Sequence, residues 1–308
     1  MSVIGIDIGG TNIKAGLVED KKIIKRISLP TMAERGFATT INQIRGAIKG
    51  LITGSKTDIT AIGIGIAGII DSKNGTVRYS PNLKDWHNIN LADILNNEFK
   101  LKTRIVNDVN AILLGEWKFG AGRGYSNIFL FTLGTGVGGA AVCEGRMLFG
   151  ANDFAGEFGH TTINFNGPRC TCGNRGCLER YVGTKGIIAL ARRKLKKEKS
   201  RLGRYQRLTP KIIADEAKKR DRVAIEVFTE IGELIGVGLG NIINLLDPEV
   251  IIISGGVARA GRVLFEAIEK SAALRTLGTQ YRRYRILPAQ LGDDAGILGS
   301  AYFATIRH

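Results

Sequence analysis

Val3-Ile-Gly-Ile-Asp-Ile-Gly-Gly-Thr-Asn-Ile-Lys-Ala-Gly-Leu-Val18 is the stretch on which the fold turns. Two apolar runs flank Gly9-Gly10-Thr11-Asn12 and read as strands joined by a tight turn. Glycines there let successive backbone N–H groups converge on an anion that side chains would keep away, while Thr11 and Asn12 add donors and Lys14 adds charge. Asp7 is an acid in an otherwise apolar strand, and a hard carboxylate beside a triphosphate is a partner for Mg2+, directly or through water. On this stretch alone, a phosphate-holding hairpin and an ordinary hairpin with a loose Gly-Gly turn fit equally.

The pattern returns downstream. Ile128-Phe-Leu-Phe-Thr-Leu-Gly-Thr-Gly-Val-Gly-Gly-Ala-Ala-Val142 overlays the first hairpin at a shift of 125 positions, with Gly9 on Gly134, Leu17 on Val142 and Glu19 on Glu144. The repeat predicts a duplicated plan with one glycine-rich hairpin in each lobe gripping a ligand between them. Boundaries are expected to place residues 1–111 with 295–308 in a smaller α/β lobe, and 112–294 in a larger one. Between the hairpins the spacing predicts a helix over 34–53, a strand over 59–67, a turn at 71–75, a short helix near 91–99, a strand over 104–108 and a helix over 109–119. Residues 151–179 read as irregular. Helices are then expected at 184–197, 210–220 and 222–246, the last rich in glycine and so packed closely on a neighbour. A buried strand over 250–254 ends at Gly255-Gly256, and a helix over 262–273, a strand over 284–287 and a final helix from Asp294 complete the chain.

A length of 308 residues, 44% hydrophobic and 23% charged, suits a globular protein of two domains or one large one. No apolar run approaches the ~20 residues of a membrane helix, and the N-terminus has no targeting pattern, so no membrane partner is expected and the compartment is the cytoplasm. Net charge is +16, and residues 192–207 hold nine Lys/Arg and one acid. A second small cluster, Arg282, Arg283 and Arg285, is interleaved with Tyr281 and Tyr284. Neither sits in a recognisable reader motif, so nucleic acid is set aside, and a solvated basic face or a field attracting nucleotide accounts for the charge.

Two dinucleotide fingerprints, Gly63-x-Gly65-x-x-Gly68 and Gly134-x-Gly136-x-x-Gly139, fail on context because neither opens a helix. Gly-x4-Gly-Lys-Ser/Thr is absent, the nearest miss being Gly50-Leu-Ile-Thr-Gly-Ser-Lys56. Cys170-x-Cys172-x4-Cys177 with His160 upstream is a complete tetrahedral zinc set, and four protein ligands leave no open position, so the zinc is structural. Disulfides are the competing reading, disfavoured in a cytosolic chain. Cys143 reads as a small buried apolar residue. Asn107-Asp108 stands where a strand ends and a helix begins, a place for functional side chains but also for a helix cap. Glu157, His160 and Glu179, in a glycine-rich region, suit a hydroxyl-rich ligand, or are surface acids and one zinc histidine.

Together Asp7-x-Gly-Gly-Thr-Asn-x-Lys14, Asn107-Asp108, Leu133-Gly-Thr-Gly-x-Gly-Gly139, Glu157-x-Gly-His160, Cys170-x-Cys-x4-Cys-x-Glu179 and Gly292-Asp-Asp-Ala-Gly296 resemble the ROK family of sugar kinases and sugar-responsive repressors, over nearly the whole chain. The resemblance implies an actin-like, ribonuclease-H-like two-lobed α/β fold with ATP and sugar in the cleft. Repressor members carry an added N-terminal helix-turn-helix domain, and this chain begins at the phosphate hairpin, so that branch is disfavoured.

By the same resemblance Asp108 is the catalytic base. Asn107, Glu157, His160 and Glu179, with Gly68 and Asn82 as neighbours, bind the sugar. His160 serves zinc with one ring nitrogen and sugar with the other. Gly9, Gly10, Thr11, Asn12 and Lys14, with Gly134, Thr135 and Gly136, hold phosphates. Asp7 positions Mg2+, and Gly255-Gly256 meets the nucleoside. The implied activity is that of an ATP-dependent hexose kinase, with glucose as the expected substrate and a homo-oligomer, dimer or tetramer, as the expected assembly. The alternatives are an N-acetylmannosamine or N-acetylglucosamine kinase, a hexose kinase of broad range, and a non-catalytic sugar sensor.

Overall fold

The computed structural model describes residues 1–306 and divides into two compact units, 1–124 with 149–155 and 290–306, and 125–148 with 156–289. The first unit opens with β1 (Ser2–Ile8), β2 (Asn12–Glu19) and β3 (Lys22–Pro30), followed by α1 (Phe37–Ile52) and β4 (Ile59–Ile66). Next come three short strands, β5 (Ile69–Asp71), β6 (Thr76–Tyr79) and β7 (His87–Asn90), then α2 (Leu91–Phe99), β8 (Lys102–Asn107) and α3 (Asp108–Phe119). The second unit holds β9 (Ile128–Leu133), β10 (Val137–Cys143), β11 (Arg146–Met147), α4 (Glu179–Val182), α5 (Thr184–Leu195), α6 (Pro210–Lys218), α7 (Arg222–Leu246), β12 (Val250–Ser254), α8 (Arg262–Ala273) and β13 (Arg285–Pro288). The chain then returns to the first unit for α9 (Asp294–Thr305).

Each unit is built on a five-stranded sheet of the same topology. The orders are β3-β2-β1-β4-β8 and β11-β10-β9-β12-β13, the first three strands antiparallel and the last two parallel to the first of the chain. This is the ribonuclease-H-like plan, duplicated. The two hairpins are not identical, however. Ile8 pairs with Ile13 across four turn residues, and Leu133 pairs with Val137 across three. Leu17 therefore corresponds to Ala141 and not to Val142; the constant shift holds for the outgoing strand and turn only, because a glycine run hides a one-residue deletion.

Strands β1 and β4 read as near-continuous apolar runs because both faces are covered: Ile4, Ile6, Ile62, Ile64 and Ile66 have no solvent exposure. Helix α9 lies so close to this sheet that a Cβ on Gly5 would sit 2.0 Å from the Ile297 carbonyl oxygen. Helix α9 also packs on α3, which keeps all of α3 in the first unit and moves the boundary from the expected residue 111 to Gly124. In the second unit the apolar core joins Phe129, Phe131 and Phe158 to Ile231 and Ile235 of α7. Gly232 and Gly236 face Ala267 and Ser271 of α8, the close neighbour expected for a glycine-rich helix.

Two local expectations are corrected. The helix expected from residue 34 breaks at Gly36, whose φ of +84° ends a short 3-10 turn before α1 begins. His87–Asn90, to which the sequence pattern assigns no strand, is a strand of the separate β5-β6-β7 sheet.

Candidate active site

In the first unit, parallel strands deliver their side chains to the carboxyl ends, where α/β sheets carry function. Asp7 is the penultimate residue of β1, directly opposite Lys14. The turn between them is fixed by Gly9 N–H donating to the Asn12 carbonyl at 3.0 Å and by Thr31, which binds it twice: its amide donates to Thr11 O (2.9 Å) and its hydroxyl to Gly9 O (2.7 Å). Gly10, Thr11 and Asn12 are exposed, and the Asn82 Cβ would lie 3.5 Å from a side chain at Gly10. Thus Asn82 is brought to the hairpin tip. Lys14 is engaged by Asp293 at 3.0 Å, so a phosphate would have to compete for it.

Gly296, in the first turn of α9, exists in that form because a Cβ there would come 2.9 Å from the Asp7 carboxyl carbon. Burial, then the like charge of Asp108, lift Asp7 from 3.8 to about 7, against the opposing pull of Lys14. Two carboxylates that repel in a partly desolvated corner are short of positive charge, which is what a hard divalent cation supplies. The residues present therefore fit Mg2+.

Asp108 is the first residue of α3, and Asn107 is its N-cap: the Asn107 side-chain oxygen accepts from the amides of Val109 (2.8 Å) and Asn110 (3.4 Å). Its Nδ2 donates to the Gly68 carbonyl at 3.2 Å. The cap reading thus holds for Asn107, which orients α3 and leaves one amide hydrogen for a ligand. Gly68 has φ +135° and would drive a Cβ to 2.2 Å from the Tyr79 carbonyl oxygen, so its place is structural as well. A cavity of about 610 Å3 in this unit, bounded in part by Ser72, Lys102 and Arg104, contains none of these residues. The candidate chemistry stands at the strand ends and not in that hollow.

In the second unit, Gly134, Thr135 and Gly136 form the shorter turn. Thr184, opening α5, clamps it as Thr31 clamps the first: both its amide (3.1 Å) and its hydroxyl (2.9 Å) donate to Gly134 O. Glu179 Oε2 accepts from the Val137 amide at 3.0 Å, and a Cβ on Gly136 would be 2.4 Å from that oxygen. Glu179 is therefore fixed against the hairpin. Gly255 packs on Leu133 with φ +93°, while nothing lies near Gly256 that a side chain would meet.

Gly159 lies flat on Val137, where a Cβ would be 2.1 Å from the carbonyl oxygen, and Phe158 seats its ring 5.2 Å from Phe129. That anchor sets exposed Glu157 on one side and half-buried His160 on the other. One ligand atom from each of His160, Cys170, Cys172 and Cys177 lies within 4.8 Å of the others. The Cys172 and Cys177 sulfurs are 3.7 Å apart, and Cys170 Sγ is 3.7 Å from His160 Nδ1. Sulfurs bound tetrahedrally to one zinc at ~2.3 Å lie roughly 3.8 Å apart, so the group fits zinc. Burial, then its sulfur neighbours, push Cys177 up to about 12; thiols crowded this closely ionise together only beside a cation. With Nδ1 turned to the cysteines, Nε2 is the nitrogen left for a ligand.

Sequence reading missed Thr31, Thr184 and Asp293 as partners of these groups. A threonine at a strand end or helix start carries no signal of its own, and Asp293 was visible only as part of its Gly292-Asp-Asp motif.

Comparison with known proteins adds the following. The ROK family model matches residues 3–306. A glucokinase of Thermotoga maritima is 38% identical over 98% of this chain and 96% of its own. A glucokinase of Halalkalibacterium halodurans is 36% identical over 97% and 93%. The crystal structure of a ROK family glucokinase from Streptomyces griseus in complex with glucose and AMPPNP superposes with a TM-score of 0.84, 33% identity and 99% coverage of both chains.

Proposed function

Because this chain belongs to the ROK family, we propose that it is an ATP-dependent hexose kinase making glucose 6-phosphate from glucose. The observation that carries the reading is the joint presence, in one unit, of Asp7 opposite Lys14 and of Asp108 close enough to raise Asp7. A sugar sensor has no need of that strained acid pair.

Asp108 takes the proton of the acceptor hydroxyl onto a carboxylate oxygen as that hydroxyl oxygen bonds to the γ-phosphorus. The bond from the γ-phosphorus to the bridging oxygen breaks, and ADP leaves with the electron pair. Phosphoryl transfer needs little covalent help, so the remaining residues act by position and charge. Gly9, Gly10, Thr11, Asn12 and Lys14 in the first unit, and Gly134, Thr135 and Gly136 in the second, hold phosphates. Gly255 and Gly256 meet the nucleoside. Asp7 would hold Mg2+, directly or through water, and the ion would offset the charge of the phosphates.

Glu157, the free oxygen of Glu179 and His160 Nε2 bind sugar hydroxyls, with Asn107 and Asn82 beside the reacting end and Gly68 shaping it. His160, Cys170, Cys172 and Cys177 would hold zinc, which would fix the imidazole's tautomer and direction and leave Nε2 a reliable donor. The chain works in the cytoplasm, where ATP is available and thiolates stay reduced. None of the described helices is long and apolar enough to cross a membrane. It assembles as a homo-oligomer, dimer or tetramer, which light scattering in solution tests.

The deciding experiment is a coupled ADP-release assay with glucose, Mg2+ and ATP, run beside Asp108→Asn. Glucose-dependent ADP that the variant lacks supports the kinase; no ADP from any hexose overturns it.

A further inference from the structure

The basic segment singled out in the sequence has no place in the proposed chemistry, and the structure enlarges it. Residues 192–222 hold fourteen Lys/Arg and four acids, a net +10 of the chain's +16. Folding draws three stretches of it together. Ser200 Oγ donates to Asp221 Oδ1 (2.8 Å) and the Arg201 amide to Asp221 Oδ2 (2.9 Å). Buried Glu216 accepts from Lys219 (2.9 Å), Tyr205 (2.9 Å) and Arg201 (2.8 Å), so the turn at 201–204 is stitched to the end of α6. Glu198 faces Arg222 at 3.7 Å, tying the end of α5 to the start of α7.

These contacts occupy every acid of the segment. Asp215 pairs with Lys211 at 2.7 Å, and Lys219 first, then Tyr205 and Arg201, hold Glu216 down to about 2, so it stays ionised and engaged. Lys196, Lys197, Lys199, Arg204, Arg207 and Arg220 are left exposed without an ion pair to an acid. The macrodipole of α5 favours cations in its last turn, and it accounts for Arg192, Arg193 and Lys194. The same dipole at the end of α6 accounts for Lys218, and neither accounts for the other six. A same-sign surface of that kind destabilises the fold by self-repulsion unless an anion covers it.

We propose that this face, formed by the end of α5, the 201–207 turn and the α6–α7 junction, binds the phosphodiester backbone of nucleic acid without reading its sequence. A dense surface of one sign suits a polymer of phosphates, and three of the six are arginines, whose guanidinium forks match phosphate oxygens. A lipid surface is the poorer fit because Tyr205 is the large apolar side chain that residues 192–222 expose, and its hydroxyl is held by Glu216. The absence of a reader motif, which set nucleic acid aside from the sequence, is no obstacle to backbone binding, which needs none.

The test is fluorescence anisotropy with two unrelated labelled 20-nucleotide RNAs, titrated with the full chain from 50 to 200 mM KCl. If about five phosphates are neutralised, the slope of log K on log salt is about −3.5 and affinity falls roughly 100-fold over that range. Both RNAs should bind alike. Lys196→Gln/Lys197→Gln/Lys199→Gln should lose about half of the slope, and adding Arg204→Gln, Arg207→Gln and Arg220→Gln most of the rest, with kinase kcat/KM and melting temperature unchanged. No binding at 50 mM salt, an unaltered slope in the six-fold variant, or binding to phosphatidylserine vesicles but not to RNA overturns the proposal.

Discussion

Replacing Asp7 by Asn should make the metal-free protein more stable and the enzyme inactive. The folded state lifts Asp7 from 3.8 to about 7, first by burial and then by the Asp108 charge. A carboxyl whose folded pKa exceeds its unfolded one binds more protons when folded, so its ionisation destabilises the fold: stability falls as pH rises from about 4 and levels off above about 7. Three units at 1.36 kcal/mol each is about 4 kcal/mol, and because Asp7 is not fully enclosed, solvent screening lowers this to about 2–4 kcal/mol. Asn keeps the shape that Gly296 accommodates and carries no charge. Urea titrations of the metal-free proteins should therefore show a gap in favour of Asp7→Asn that grows by up to roughly 1.4 kcal/mol per pH unit between pH 5 and pH 7 and is constant beyond. Mg2+ with a non-hydrolysable ATP analogue should narrow it, since the cation offsets the charge only in wild type. Equal stability at pH 8, or a gap that does not change with pH, would refute the account of Asp7 as a charge held against the fold for a cation.

Asp108→Asn should keep the fold and sugar binding but lower kcat by ~10²–10⁴-fold, and it should also lower the Asp7 pKa; kcat near wild type would leave Asp108 a mere helix residue. Cys172→Ser should lose the one zinc per chain seen by elemental analysis and depress melting temperature and sugar affinity together, and metal-free protein of full stability would count against the zinc. Gly136→Ala puts a methyl group where Glu179 accepts from Val137, so urea unfolding should show a loss of about 2 kcal/mol and glucose KM should rise with little change in kcat. Ranked by kcat/KM, glucose should lead a panel of mannose, fructose, N-acetylglucosamine and N-acetylmannosamine, with mannose second; preference for an N-acetylated sugar would move the substrate and keep the kinase.

What was legible in the chain was what depends on local pattern. The hairpins, the buried parallel strands and the zinc set follow from glycine runs, apolar runs and ligand spacing, each complete within a few dozen residues. The one-residue difference between the hairpins was not legible, because Gly134-Thr-Gly136 and Gly9-Gly-Thr-Asn12 align equally well at the turn and diverge only in strand pairing. Strand β7 was lost because His87-Asn-Ile-Asn90 carries one apolar residue, its pairing being supplied by β6.

The site was legible in its residue types and not in their commitments. Asn107 looked like a ligand and spends its oxygen on the cap of α3, while Lys14 looked like a free cation and is held by Asp293, 279 residues away. Long-range pairing of that sort is decided by where α9 lands. The same helix brings Gly296 against Asp7 and Asp293 against Lys14, so a segment whose motif was visible in the sequence, but whose partners were not, packs against both charged residues of the phosphate hairpin. If phosphate is to reach Lys14, Asp293 must give way. Asp293 is 77% exposed and can be rehydrated at little cost, which makes the ion pair a replaceable place-holder for the anion and not a lock.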